Sequence, residues 1–99
     1  MIVVKVTYTV KDSFVADNKQ NINTFLQDFK KVSGDFRYTV YSKDNTFIHL
    51  SHFKDRDIQT AVLEVPSFKA FQAARDASGL IGEHHLEVLE LEGTTADIF

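Results

Sequence analysis

The chain has 99 residues, carries a formal net charge of −3 and contains no cysteine. This length suits one domain rather than two, so we treat residues 1–99 as a single folded unit. The absence of cysteine excludes disulfides, thiolate nucleophiles and cysteine-based zinc sites. The mild acidity argues against nucleic acids and anionic membranes as partners, because both attract basic surfaces.

The apolar segments are all too short to cross a membrane, and residues 1–10 are too few and too mixed for a signal peptide. We therefore expect a cytoplasmic protein. A chain of this size buries only part of its surface on its own, so an oligomer interface would stabilise it.

The first elements are a strand and a helix. Alternation over Ile2–Val10 predicts the strand, and the apolar spacing that follows predicts the helix. A side-chain oxygen of Asp12 or Ser13 would cap the helix N-terminus, and Gly34 would follow its C-terminus as the C′ residue. The inward-facing helix positions are Val15, Ile22, Phe25, Leu26, Phe29 and Val32.

Two alternating segments, Phe36–Ser42 and Thr46–Phe53, predict the second and third strands, joined as a hairpin by the turn signal at 43–45. Period-two geometry puts one set of third-strand side chains on a single face. These residues are Phe47, His49, Ser51 and Phe53.

The second half begins with a short helical segment over Asp57–Val65. Pro66 or Ser67 then starts another helix, since proline suits a first turn, and Ser78-Gly79 ends it. Its inward positions are Phe68, Phe71, Ala74 and Ala77. Leu86–Glu92 alternates as the fourth strand. The tail 93–99 has no pattern and either frays or docks on a partner.

The element order is β-α-β-β-α-β, which predicts a ferredoxin-like α+β fold. Two helices would cover one face of a four-stranded antiparallel sheet and leave the other face bare. The third strand carries Ile48 and Leu50 opposite its Phe face, and the fourth carries apolar residues on both faces. A sheet that is apolar on both faces needs a second cover, so we expect a homodimer.

The third strand and the helices after it resemble the antibiotic biosynthesis monooxygenase family of dimeric α+β barrels. That family has a strand pattern like F-x-x-x-E-x-W followed by A-H-x-x-S-x-x-F. Here the strand is Phe47-Ile48-His49-Leu50-Ser51-His52-Phe53, and the second segment is Ala61-Val62-Leu63-Glu64-Val65-Pro66-Ser67-Phe68. The resemblance extends over most of the chain.

The resemblance implies a cleft between helices and sheet, often used without a metal or organic cofactor. Three positions depart from the family pattern: Phe53 replaces Trp, Val62 replaces His and Ser51 replaces Glu. The first strand also lacks the Asn that haem-degrading relatives use. The resemblance therefore implies a fold and a cleft more than a mechanism.

Histidine is the residue type in this chain that suggests a metal or catalytic site. His49 and His52 lie three apart on a strand, and His84 and His85 are adjacent, so each pair points to opposite faces and we expect no metal. His49 shares its face with phenylalanines, where it would act as a base or orient a phenolic substrate. A packed core histidine is the alternative.

The tyrosines and arginines also leave alternatives open. Tyr8, Tyr38 and Tyr41 can donate a hydrogen bond to a substrate oxygen or simply pack their rings. Arg37 and Arg75 can hold a carboxylate or form surface ion pairs. An RNA-recognition domain has the same element order, but Thr46–Phe53 has neither the basic residue nor the glycine of its motif.

The preferred hypothesis is a cofactor-independent monooxygenase-like enzyme that encloses a small, electron-rich aromatic compound. His49 is the candidate catalytic residue. The candidate substrate-binding residues are Tyr8, Phe25, Phe29, Phe47, Ser51, Phe53 and Phe71. The alternative is a non-catalytic homodimer of the same fold, in which phenylalanines fill the cleft and the chain has a binding or structural role.

Overall fold

The computed structural model describes the backbone of all 99 residues and every side chain except that of Ser78. The strands are β1 (Ile2–Val10), β2 (Phe36–Lys43), β3 (Thr46–Phe53) and β4 (Leu80–Leu89). The helices are α1 (Val15–Phe29), α2 (Arg56–Leu63) and α3 (Pro66–Ala74). A 3-10 turn (Asp12–Phe14) precedes α1, and a π-helical turn (Arg75–Gly79) joins α3 to β4.

The four strands form one antiparallel sheet in the order β2-β3-β1-β4. This confirms the ferredoxin-like α+β class. We call the face that carries Tyr8 and His49 the inner face, because the helices pack on it. The opposite face is the outer face, and it includes the cross-strand row Arg37, His52, Val3 and Leu89.

The core between the helices and the inner face is largely aromatic. Phe25 of α1 is fully buried, and its ring centroid lies 5.0–5.1 Å from those of Phe68 and Phe71 of α3. Phe29 extends the same cluster and lies 5.8 Å from Phe36 of β2. Burying each phenylalanine contributes about 1.5–3 kcal/mol, so this cluster is what holds α1 and α3 on the sheet.

Both predicted caps of α1 are wrong. Neither Asp12 nor Ser13 caps the helix, since the chain enters α1 through the 3-10 turn, and Asp12 instead accepts a hydrogen bond from Asn45 across the hairpin turn. The helix ends at Phe29, and Gly34 does not adopt the positive φ of a C′ glycine. The turn prediction at 43–45 is confirmed, with Asp44 at φ 55°.

The fourth strand begins six residues earlier than predicted and ends at Leu89 rather than Glu92. The early residues Gly82 to His85 lack apolar alternation, so pairing with β1 rather than local sequence makes them extended. A register shift between Thr7 and Thr9 accompanies the positive φ of Gly82. Ala77, predicted inward, is exposed because the helical geometry changes after Ala74.

The tail after β4 returns to its own sheet. The Arg37 guanidinium lies 5.6 Å from the centroid of the Phe99 ring. Arg37 and Leu89 are at opposite ends of one cross-strand row, so the tail leaves one edge of the sheet and ends at the other. Among the described residues, no helix combines the length and hydrophobicity needed to span a bilayer.

Candidate functional site

Three neighbouring strands and α1 assemble a buried hydrogen-bonded cluster. The Tyr8 hydroxyl lies 2.7 Å from Nε2 of His49, and the Tyr38 hydroxyl lies 2.7 Å from Nδ1. Asn18 of α1 donates from Nδ2 to the Tyr8 hydroxyl at 2.9 Å. Tyr8, Asn18, Tyr38 and His49 form what we call the tyrosine–histidine cluster. Both imidazole nitrogens are therefore engaged by phenols.

His49 is held in its neutral form. Its side chain is 3% exposed, and burial, assisted by the positive charge of Arg75, lowers its pKa to about 3. With this pKa the imidazole is uncharged at neutral pH. A neutral imidazole donates from one nitrogen and accepts at the other, so it links the two phenols as a relay for a proton.

The two phenols are also held in their neutral forms. Burial raises the pKa of Tyr8 to about 12, against smaller opposing effects of the Asn18 hydrogen bond and of Arg75. Burial also raises the pKa of Tyr38 well above its ordinary value. The cluster is therefore uncharged throughout the physiological range, and its polar groups act as hydrogen-bonding groups rather than as charges.

Arg75 supplies the positive charge beside the cluster. It lies four residues after Phe71 and seven after Phe68, so its side chain continues the inward stripe of α3, and the residue is only 5% exposed. The guanidinium lies 5.3 Å from the ring centroid of Tyr8 and 5.5 Å from that of Phe71. Its Nε donates to Asp76 at 3.0 Å. Cation–π stacking and this ion pair together offset the cost of burial.

Two connected spaces open next to the cluster on the inner face. A groove of about 500 Å³ runs between the helices α2 and α3 and strand β4. A small cavity of about 70 Å³ lies at its inner end, against His49, Arg75 and His84. Both spaces are lined by Val6, Tyr38, Phe68, Gln72 and Leu86. A volume of this size suits a small organic molecule.

Comparison with known proteins identifies the fold. No model of a known protein family matches the chain, and no curated protein matches it either. Solved structures do match over nearly the whole chain. One is an antibiotic biosynthesis monooxygenase, with a TM-score of 0.81 at 9% identity, covering 94% of this chain and 100% of that one.

Two further structures extend the comparison. Rv0793 from Mycobacterium tuberculosis has a TM-score of 0.80 at 10% identity, covering 96% of this chain and 98% of its own. SnoaB from Streptomyces nogalater, a cofactor-independent oxygenase, has a TM-score of 0.73 at 18% identity, with 97% of each chain covered. This chain has the fold of the antibiotic biosynthesis monooxygenases. The resemblance inferred from the sequence is thereby confirmed at the level of the fold.

The monooxygenase-like fold places the predicted substrate-binding residues in two groups. Ser51 and Phe53 border the groove, and Phe71 borders the small cavity. The remaining residues are at most 2% exposed and belong to the packed core: Tyr8, Phe25, Phe29 and Phe47. Phe29 and Phe47 also border two spaces on the other side of the core, beside α1. The space next to the tyrosine–histidine cluster therefore lies toward β4.

The three positions that depart from the monooxygenase pattern are all buried. Phe53 is 1% exposed and Val62 is fully buried, so both contribute to packing. Ser51 donates to the carbonyl of Val4 at 3.3 Å across the sheet. None of these three residues adds a titratable group to the groove.

The predicted set lacked three polar residues of the site: Asn18 was not considered, and Tyr38 and Arg75 were named only among open alternatives. Asn18 occupies the same helical stripe as Ile22, Phe25 and Phe29, and a polar residue in an apolar stripe was the available signal. Its Oδ1 is the one buried polar side-chain atom without a partner in the described part of the chain. Arg75 gave the same signal, because it lies four residues after Phe71 and seven after Phe68, on the inward stripe of α3.

The histidines are distributed as strand parity requires. His49 faces inward and pairs with Val6, whereas its near neighbour His52 pairs with Val3 on the outer face. His84 borders the small cavity, whereas His85 pairs with Thr7 on the outer face. No three His, Asp or Glu side chains that the structure describes come together in a way that could hold a metal ion.

Proposed function

We propose that this chain binds a small, electron-rich aromatic compound in the groove and acts on it as a cofactor-independent monooxygenase-like enzyme. One observation carries the proposal: the groove ends at a buried, uncharged tyrosine–histidine cluster beside a buried arginine. The similarity in fold to SnoaB is consistent with it. The groove supplies an apolar enclosure, and the cluster supplies hydrogen bonds to a substrate oxygen.

The proposed reaction uses molecular oxygen as the oxidant. The substrate gives up two hydrogens and gains one oxygen atom, and the second oxygen atom leaves as water. Arg75 stabilises negative charge that develops on the substrate oxygen when its proton leaves. The Tyr38 hydroxyl, held by His49, orients that oxygen, and His84 at the cavity wall accepts the proton.

In this proposal His49 positions a hydroxyl rather than acting as a strong base, because its pKa of about 3 makes it a weak proton acceptor. Ser51 and Phe53 form part of the binding wall. Phe71 borders the small cavity, and the buried aromatic residues Tyr8, Phe25, Phe29 and Phe47 hold the wall in place. Their contribution to binding is then indirect.

Oxygen uptake with hydroquinone and anthrone substrates tests the proposal. The wild type should consume oxygen faster than the uncatalysed oxidation does. Tyr38→Phe should lower turnover by about tenfold or more, since it removes a hydrogen bond to the reacting oxygen. His52→Gln, on the outer face, is the control and should keep full activity. No uptake above background with any of these substrates would contradict an enzymatic role.

A second candidate is a binding protein of the same fold without catalysis. Phe71 stacks on His49 with ring centroids 5.3 Å apart, and Phe25 closes a further side at 6.1 Å. These aromatic residues leave His49 almost no exposed surface, which favours a packed histidine. This candidate predicts saturable binding of aromatic compounds with no oxygen uptake.

We also propose that the protein forms a homodimer through the part of the outer face that the tail leaves uncovered. Ile48 and Leu50 of β3 are only half-buried there, and Leu89 of β4 is 37% exposed. A second copy would cover these residues and bury on the order of 2,000 Å² or more. Sedimentation equilibrium should give twice the chain mass of 11.3 kDa. Leu50→Asp or Leu89→Asp should split the dimer, and a monomeric wild type at micromolar concentration would contradict it.

A further inference from the structure

Arg75 is unusual because it is buried with only part of its hydrogen-bonding capacity used. The residue is 5% exposed, and its single side-chain hydrogen bond goes from Nε to Asp76. Among the described residues, nothing accepts a hydrogen bond from its two terminal nitrogens. The terminal nitrogens therefore keep some contact with solvent, and their donors are available to a ligand. The guanidinium borders the small cavity, so a ligand placed there can satisfy them.

The charged side chains that line the two spaces also favour an anionic ligand. Arg75 lines the small cavity and Arg56 lines the groove, and the described lining of both contains no Asp or Glu. The whole chain carries a net charge of −3, whereas the charged side chains in this lining are cationic, and Asp76 pairs with Arg75 from outside the lining. Positive lining of a partly enclosed cleft attracts anions and repels cations.

The two spaces differ in size and lining, so they suit different parts of one ligand. The groove is walled mainly by aliphatic and aromatic side chains, including Val4, Val6, Leu63 and Val88, and suits an apolar body. The small cavity of about 70 Å³ holds only a group of a few atoms, since one water occupies about 30 Å³. Tyr38 borders both spaces and can donate to an oxygen at the junction.

We propose that the groove binds aromatic carboxylic acids, with the carboxylate in the small cavity on the terminal nitrogens of Arg75. The planar guanidinium matches a carboxylate in a two-point hydrogen-bonded pair. Asp76 pairs with Nε, so the carboxylate uses the two terminal nitrogens, for which the described chain supplies no acceptor. This inference rests on the proposed function only for the location of the ligand, because it needs no oxidation.

Calorimetric titration without oxygen tests the inference directly. The probes are 2-naphthoate and its neutral amide, 2-naphthamide, which have the same ring and nearly the same shape. The wild type should bind the acid about tenfold or more tightly than the amide, because only the acid forms a charge-assisted pair. Equal affinities, or no binding of either probe at millimolar concentration, would overturn the inference.

Two matched variants locate the charge. Leu86→Glu puts a competing carboxylate at the wall of both spaces, whereas Ile81→Glu puts one on the outer face of the same strand. Both residues are exposed, 61% and 54%, and both substitutions make the chain more negative by one unit. Leu86→Glu should weaken naphthoate binding about tenfold, and Ile81→Glu should leave it unchanged. Equal effects of the two variants would overturn the inference.

Arg75→Gln should abolish the preference for the acid over the amide, and Arg75→Lys should retain part of it. If Arg75→Gln does not fold, the Leu86 and Ile81 pair still decides the question. The result is also separate from the oxygenase proposal. Acid-selective binding without oxygen uptake would support this inference and reject the enzymatic function. Turnover of neutral substrates without a preference for acids would support the enzymatic function and reject this inference.

Discussion

The inner face of the sheet has two halves that differ sharply in how they are covered. At the centre of β3 and beneath α1, aromatic side chains are closely packed, and Phe25, Phe47 and Phe53 are at most 2% exposed. Along β4 the same face is open, with Leu86 61% and Val88 72% exposed. Only three strands lie fully beneath α1 and α3, so the fourth strand forms one wall of a groove.

This difference assigns stability to the covered half and ligand binding to the open half. The covered half contains the tightly packed residues, whereas the open half contains apolar residues that contribute little to folding and remain accessible to a ligand. The tyrosine–histidine cluster and Arg75 lie at the boundary between the halves. At this boundary, the polar groups of the cluster and Arg75 are buried by the covered half and can still contact a ligand bound in the open half.

The largest expected effect is in the covered half. Phe25→Ala removes a fully buried ring that contacts both helices and the sheet, and should lower the free energy of unfolding by about 3–5 kcal/mol. Leu86→Ala, in the open half, should change it by less than about 0.5 kcal/mol. Urea unfolding of both variants gives the comparison. Similar losses would mean that β4 is covered in solution.

The connection between the halves should be the next most sensitive site. A Cβ added to Gly79 would lie 2.4 Å from Cδ2 of Phe14, so Gly79→Ala forces the ring or the π-helical turn to move. We expect a loss of about 1–3 kcal/mol in thermal or urea unfolding. Gly34→Ala is the control, because nothing lies within 4 Å of its added Cβ. If Gly79→Ala is as stable as the wild type, the Phe14 ring does not pack against Gly79 in solution.

The boundary cluster should make stability depend on pH. His49 has a pKa of about 3 when folded and an ordinary value of 6.5 when unfolded, so below pH 6.5 the unfolded chain binds a proton that the folded chain does not. Stability is therefore complete above pH 6.5 and falls by up to about 1.4 kcal/mol per pH unit below it. His49→Gln should flatten this slope, whereas His52→Gln should preserve it. Equal slopes in both variants would exclude a buried neutral His49.

The smallest effect concerns the tail. Phe99→Ala removes a cation–π contact with Arg37 at the edge of the sheet, and Phe99 is 40% exposed. We expect a loss of about 0.5–1 kcal/mol. Arg37→Lys keeps the positive charge but removes the planar guanidinium that stacks on the Phe99 ring. This variant should therefore lose part of that stability. An unaffected stability in both variants would mean that the tail is detached.

The sequence predicts the parts of the molecule that repeat with a regular period. The alternation of Ile2–Val10 and Thr46–Phe53 predicts both strands within the observed bounds. It does not predict the start of β4, because Gly82 to His85 become extended only through pairing with β1. Tertiary pairing of this kind overrides weak local preference.

The site is less predictable than the fold for a related reason. Strand parity correctly places His49 among aromatic side chains on the inner face. It cannot reveal that both imidazole nitrogens contact tyrosines from neighbouring strands, since register fixes which residues meet. Helical spacing from Phe68 and Phe71 places Arg75 inward, but the spacing alone does not reveal that a charged residue there is buried.

The most direct test of the account is methyl NMR during titration with 2-naphthoate. If the open half of the inner face is the binding site, the methyl signals of Val6, Leu86 and Val88 should shift together and saturably. The methyl signals of Ile48 and Leu50 on the outer face should stay in place. Shifts confined to Ile48 and Leu50, or no shifts at millimolar ligand, would contradict the claim that this groove is the functional site.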